Sequence, residues 1–342
     1  MATPAILQDG SGATPPETAR PHRSRLWFQA LLLLVTLFST TVVGMRYMAN
    51  FRAGLPPIAS DNDVLPYGWA FAHAHAAASG LPFSLTLLTI LLVHEMGHYL
   101  AARRYAISAT LPYVIPAPSL SGTAGAIIRL EGRVTSRSAL LAVGALGPVS
   151  GFLVAIAAGI LGLHLSRAGL PIAPGLVEFH FPLLLRLLSA WIHPHVPASA
   201  LTWHPVLVAA WIGVLITSLN LVPAGQFDGG HVLYAFSPRA HRWFTWATIA
   251  TLLCLGVIYW IGWILWACLL LLPGMRHPRI SESTPLSWKL ALLGPACLAI
   301  FLLSATPQPF GHSGLIETIH KIQRTGIEWP FHRHTPHPPH RH

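Results

Sequence analysis

Charge is what this chain has least of. Only 9% of its 342 residues are Asp, Glu, Lys or Arg, where a soluble protein carries about 25%. Apolar residues make up 53% and the mean hydropathy is +0.55. That balance excludes an ordinary soluble enzyme and implies a multi-pass membrane protein, for which the lipid bilayer is the first partner. Acidic residues are the rarer sign, eleven against twenty-one basic ones, for a formal charge of +10. The basic excess lies in an N-terminal arm, in loops and in the tail. No basic groove with interleaved aromatics accompanies it, so nucleic acid is not an expected partner. Cysteine is scarce as well. Cys254, Cys268 and Cys297 lie in apolar runs without C-x-x-C spacing, which excludes a disulfide framework or a zinc knuckle. Histidine, by contrast, occurs twenty times.

One membrane domain accounts for most of the length. Residues 1–25, rich in Pro, Ala and Thr and ending in Arg20, Arg23 and Arg25, predict a disordered arm. The run Leu26–Met45 is long enough to span, and the basic arm before it places the N-terminus in the cytoplasm. A polar loop, 46–67, and a small-residue stretch, Ala70–Ser79, lead to a second span, Leu81–Tyr105. Ala139–Leu165 and Val206–Val222 follow as further spans. Trp243–Tyr259 and Ile261–Leu272 form a hairpin or one bent element, and Leu290–Ser304 is a short last span. Together they predict an all-α polytopic fold of about six to seven transmembrane helices over residues 26–304. A His- and Pro-rich disordered tail follows over 305–342.

Residues 107–134 break the helical pattern. Prolines and glycines, among them Gly122 and Gly125, alternate with Val and Ile. The stretch predicts a short membrane-associated β region near 109–133, with a glycine-rich turn. Open strand edges cannot face lipid, so this region dips into a protein-lined cavity or lies at the cytoplasmic surface.

The chemistry concentrates in Leu91-Leu92-Val93-His94-Glu95-Met96-Gly97-His98-Tyr99. On a helix, His94 and His98 leave one face a turn apart, the spacing needed to grip one zinc ion. Glu95 is placed to take a proton from a water at that ion. A Glu inside a membrane-length apolar run is costly and points to function. Eight residues separate Glu95 from Arg103, which puts it roughly 12 Å inside the cytoplasmic face. Zinc needs a third protein ligand. Of the eleven acidic residues, only Glu95 and Asp228 lie in or beside apolar segments in a way that loops do not explain. Asp228 is therefore the first candidate, with His231 and the pair His73 and His75 as rivals. Asn220, eight residues earlier, either ties two helices together or donates to a substrate carbonyl as charge develops on it.

His94-Glu95-x-x-His98 in one segment, joined to Asn220-x-x-Pro223 and Asp228-Gly229 in a later one, resembles the site-2 protease family of intramembrane zinc metalloproteases. The stretches Gly122-Thr123-x-Gly125-Ala126, Gly147-Pro148-x-x-Gly151 and Gly225-Gln226-Phe227-Asp228-Gly229-Gly230-His231 are similar to its bacterial and plastid branch. The resemblance covers about residues 81–240. It implies one zinc held by His94, His98 and Asp228, Glu95 as general base, Asn220 holding substrate, and residues 109–133 as the family's β region. Gly122 and Gly125 would then serve a substrate-binding strand. The implied partner is a transmembrane protein substrate, and the implied setting a bacterial inner membrane. Position 227 is Phe where many members carry Leu, and no stretch is long and polar enough for a PDZ domain. The rival class is a zinc-binding or zinc-transporting membrane protein without protease activity, supported by the histidine count.

Overall fold

The computed structural model describes residues 26–60, 63–132, 134–169, 178–272, 280, 285–311 and 315–316. The expected arm, most of the tail, and the charged loop at Arg276, His277 and Arg279 lie outside these residues.

Helix α1 (Leu26–Arg52) runs past Met45, where the apolar run ends. Its last turns carry polar groups, and the protein itself satisfies them. Asn50 donates to the Pro57 carbonyl and to the Asp63 carboxylate. Asp63, 1% exposed, also accepts from Arg46 Nε at 2.6 Å, from the backbone N–H groups of Ala59 and Ser60, and from the Ser60 hydroxyl. Burial works against its charge. The Ala59 N–H and the Asn50, Arg46 and Ser60 side chains nevertheless hold it below the ordinary carboxylate range. This knot closes the loop after α1.

The small-residue stretch falls in a short helix, α2 (Tyr67–Ala72), and a 3-10 turn, Ala74–Gly80, that runs into α3 (Leu81–Arg104). The irregular stretch that follows forms a hairpin. Strand β1 (Tyr113–Pro116) pairs antiparallel with β2 (Thr123–Ile127), Val114 opposite Ala126, with an irregularity after Ile115. Helix α4 (Arg137–Leu165) is capped by the Ser136 hydroxyl and carries Pro148 within it. A two-residue pair, β3 (Arg167–Ala168) with β4 (Leu201–Thr202), brackets α5 (Leu183–Ile192). Helices α6 (Pro205–Asn220) and α7 (Asp228–Phe236) follow. Next come α8 (Pro238–Ile258) and α9 (Gly262–Leu271), which pack on each other with Gly256 against Ile264. The pair α10 (Trp288–Ala291) and α11 (Leu293–Ser304) completes the set.

The membrane-spanning count differs from expectation. Among the described residues, three helical stretches are long and apolar enough to cross a membrane: α1, Ala74–Arg104 and α4. Helix α6 has 16 residues and stops at Asn220 rather than Val222. Pro223 disfavours helical backbone at Val222, and the chain turns there. Six to seven crossings are not reached by length alone.

Helix α4 is the hub, packed on α3, α6, α7 and α11. Lipid offers helices no hydrophobic reason to associate, so close packing of small residues has to supply the contact. Helix α4 provides Gly144, Gly147 and Gly151 on one face, one turn apart. A Cβ on Gly147 would collide with the His98 ring, one on Gly151 would press on His94, and one on Gly144 would press on His231. The glycine face is thus the seat of the imidazoles.

Candidate active site

Two elements bring the site together. Helix α3 presents His94, Glu95 and His98, all buried. The turn between α6 and α7 presents Asn220 as the last residue of one helix and Asp228 as the first of the next. Ring nitrogens His94 Nε2 and His98 Nε2 stand 3.1 Å apart, and each is 3.3 Å from Asp228 Oδ2. Ligands about 2.0–2.2 Å from a tetrahedral zinc are separated by about 3.3–3.6 Å. The triangle has the dimensions of three corners of that tetrahedron, and the donor set of two imidazoles and a carboxylate suits the ion.

His98 is oriented from behind. Its Nδ1 donates to the Val143 carbonyl of α4 at 2.6 Å. That bond fixes the tautomer with a lone pair on Nε2, the arrangement expected of a metal-ligating histidine. Glu95 belongs to the same cluster at wider spacing, its carboxylate within 4.8 Å of both imidazoles. Asn220 Nδ2 lies 3.3 Å from His94 Nε2, so its amide reaches from α6 to the site on α3.

These groups line one cavity of about 260 Å³, together with Ala126, Ile127 and Ile128 at the end of β2 and Gln226, Phe227 and His231. His231 faces the cavity from the first turn of α7. His73 is elsewhere: its ring stacks on Trp69 and its Nδ1 bonds the Trp69 carbonyl. His75 lies beside it. Of the rivals for a third ligand, the structure brings only His231 near the pair. Gly122 and Gly125 do not line the cavity. Gly122, with φ of +75°, abuts the α1 backbone at Ser39 and Thr40, and Gly125, with φ of +106°, has open space where a Cβ would stand.

A clamp behind Asp228 was not legible in the sequence. Gly225, at φ of +56°, turns the chain three residues before Asp228. Helix α8 holds both its backbone groups: His241 Nε2 donates to the Gly225 carbonyl at 2.9 Å, and the Gly225 N–H donates to the Thr245 hydroxyl at 3.3 Å. The two side chains are four residues apart on a helix, a spacing with no motif attached.

Residues 82–255 match the sequence profile of peptidase family M50. That stretch covers half of the chain and contains every residue of the cavity. The chain belongs to peptidase family M50. Its M50 relatives include the probable zinc metalloprotease EGY2, chloroplastic, of Arabidopsis thaliana, 29% identical over 319 residues, covering 91% of this chain and 53% of that protein. The probable zinc metalloprotease EGY1, chloroplastic, of the same plant is 30% identical, over 64% of this chain and 41% of that protein. The EGY2 protein of Oryza sativa subsp. indica is 31% identical, over 65% and 39%. The chain therefore spans about half the length, or less, of these M50 relatives. Their names, all marked chloroplastic, agree with the plastid-like branch that the Gly-rich stretches suggest.

Proposed function

We propose that this protein is an intramembrane zinc metalloprotease that hydrolyses peptide bonds of membrane-spanning protein substrates. The observation that carries this is the triangle of His94 Nε2, His98 Nε2 and Asp228 Oδ2, with edges of 3.1–3.3 Å and Glu95 beside it. Zinc held by His94, His98 and Asp228 supplies Lewis acidity toward a carbonyl and lowers the pKa of water. Glu95 is the base that accepts the proton of the attacking water and returns it to the departing amine. Asn220 donates its amide to the substrate carbonyl as negative charge grows there.

A helical substrate hides its carbonyls in its own hydrogen bonds and must unwind before attack. The end of β2 lines the cavity, and an unwound segment pairs with its edge by strand addition. In this reading the chain is multi-pass, with the shorter apolar helices α6, α9 and α11 completing the crossings begun by α1, α3 and α4. The N-terminus lies with Arg103 and Arg104 on the cytoplasmic side of a bacterial inner membrane, as the positive-inside rule suggests.

The test is cleavage of a model transmembrane substrate by purified wild type and Glu95→Gln, with zinc measured on both. A protease loses turnover by at least 10²-fold in Glu95→Gln and keeps its metal. Unchanged cleavage would remove Glu95 from the mechanism, and zinc binding with no cleavage by wild type would favour a zinc-handling protein instead.

A further inference from the structure

We infer that α1 is the positioning element of the β hairpin: Gln29, Thr36, Ser39 and Tyr47 hold its backbone in register and leave β2 as the only edge open to a substrate strand. This rests on the reading above that a substrate pairs with β2.

Four side chains of α1 each donate to a main-chain carbonyl of the hairpin. Gln29 Nε2 bonds Leu111 at 2.8 Å, Ser39 Oγ bonds Gly122 at 2.6 Å and Tyr47 Oη bonds Leu120 at 2.7 Å, while Thr36 Oγ1 shares its one proton between Val114 at 3.1 Å and the Leu32 carbonyl of its own helix at 2.8 Å. Positions 29, 36, 39 and 47 fall within about 80° of one another on the helix. They form a polar stripe on an otherwise apolar span. All four residues are buried. In a medium without water, each of these hydroxyls or amides needs a partner, and so does each carbonyl. The donors of the stripe and the carbonyls of the hairpin answer each other, while the Gln29 amide oxygen is buried without a partner. From Gln29 to Tyr47 the helix rises about 27 Å. The hairpin therefore runs the depth of α1, bonded at both ends and in the middle.

The two edges of the hairpin differ as a result. The Val114 carbonyl is taken by Thr36, and Pro112 and Pro116 on either side bring no N–H. No further strand can add to β1. Val114 stands opposite Ala126, so the main-chain groups of Ala126 point away from β1 as well. Ala126 and Ile128 line the cavity with Glu95 and Asp228. Whatever pairs with that edge is aligned with the site to the accuracy with which α1 holds the hairpin. Gly122 fits the same purpose, since a side chain there would strike the α1 backbone at Ser39.

The test is a Thr36→Val/Ser39→Ala variant assayed on a transmembrane substrate. Its readouts are KM, kcat, the bond cut (by mass spectrometry of the products) and zinc per chain. A misplacement of about 1 Å costs up to about 10²-fold in rate. The expected result is a fall in kcat/KM of about tenfold to a hundredfold, with new products cut at neighbouring bonds and zinc unchanged. Thr36→Ser, which keeps the hydroxyl, should behave as wild type. A variant that cuts the same bond with wild-type KM overturns the inference, whatever its thermal stability, since a merely structural role moves stability and not the scissile bond. If the double variant does not fold, Tyr47→Phe, which keeps the buried ring, is read by the same criteria. Ala126→Pro separates the two levels. It removes an N–H from the open edge, so unaffected cleavage there would refute strand addition itself. Loss of cleavage there, with wild-type behaviour of the α1 variants, would refute only the role of α1.

Discussion

Gly147→Ala is the sharpest test of how α4 builds the site. The added methyl would sit on the His98 ring, meeting Nε2, Cε1 and Cδ2 at once. That ring has no slack, because its Nδ1 is held by the Val143 carbonyl at 2.6 Å and its Nε2 is a corner of the triangle. It must give up one or the other. Overpacking of this kind costs about 1–3 kcal/mol. Loss of the bond that orients a metal-ligating histidine costs about 10–100-fold in metal affinity, or about 1.4–2.8 kcal/mol. The two routes agree, and zinc affinity should fall by one to two orders of magnitude. The assay is zinc competition against a chelator of known affinity in detergent, with cleavage measured at saturating zinc. Gly159→Ala is the control on the same helix. Its methyl would lie 3.1 Å from Cδ2 of Leu185, the far end of a flexible side chain and away from the site. Zinc affinity in Gly159→Ala should match wild type. Wild-type affinity in Gly147→Ala would refute the account of α4 as the seat of the imidazoles.

His241→Leu removes the donor that fixes the Gly225 carbonyl, and zinc should be lost to chelator about tenfold more readily at unchanged helix content by circular dichroism. Asp63→Asn replaces a carboxylate that accepts five hydrogen bonds with a group that accepts on one side only, and should lower stability by about 3 kcal/mol, read as a fall in Tm with cleavage chemistry unchanged. Because Asp63 titrates below its unfolded value, its contribution is complete above about pH 4 and disappears as pH falls through the folded pKa. The Tm gap between wild type and Asp63→Asn should therefore close on acidification and hold steady from neutral pH upward. Gly122→Ala combines a positive φ with a clash against the α1 backbone, and should destabilise by about 1–3 kcal/mol without reducing zinc per chain.

The metal-binding geometry is the part most legible in the chain. His94 and His98 announce themselves by spacing, and Asp228 by being one of two acidic residues that apolar segments fail to explain. The irregular 107–134 stretch yields its strands for the same reason: prolines and glycines leave little else possible. What the sequence conceals is how elements meet. Thr36, Ser39 and Tyr47 look like tolerated polar residues in a span until the hairpin is laid against them, although their seven- and eight-residue spacings from Gln29 and Ser39 do hint at one face. His241 and Thr245 carry no motif, because backbone clamping needs only a donor and an acceptor at helical spacing. The count of spans is less legible: three helical stretches reach membrane length, and a run such as Val206–Val222 yields a helix that stops at Asn220 because Pro223 disfavours helix before it. Gly122 was assigned to a substrate strand on the strength of its motif, but its position against Ser39 and Thr40 gives it a packing role outside the cavity.

The central claim is that one zinc is held by His94, His98 and Asp228. It is tested most directly by metal analysis of purified wild type beside Asp228→Ala. The account predicts about one zinc per chain in wild type and a marked loss in Asp228→Ala at equal fold, judged by Tm and monodispersity. Full zinc occupancy in Asp228→Ala, with His231 or another group completing the site, would contradict it.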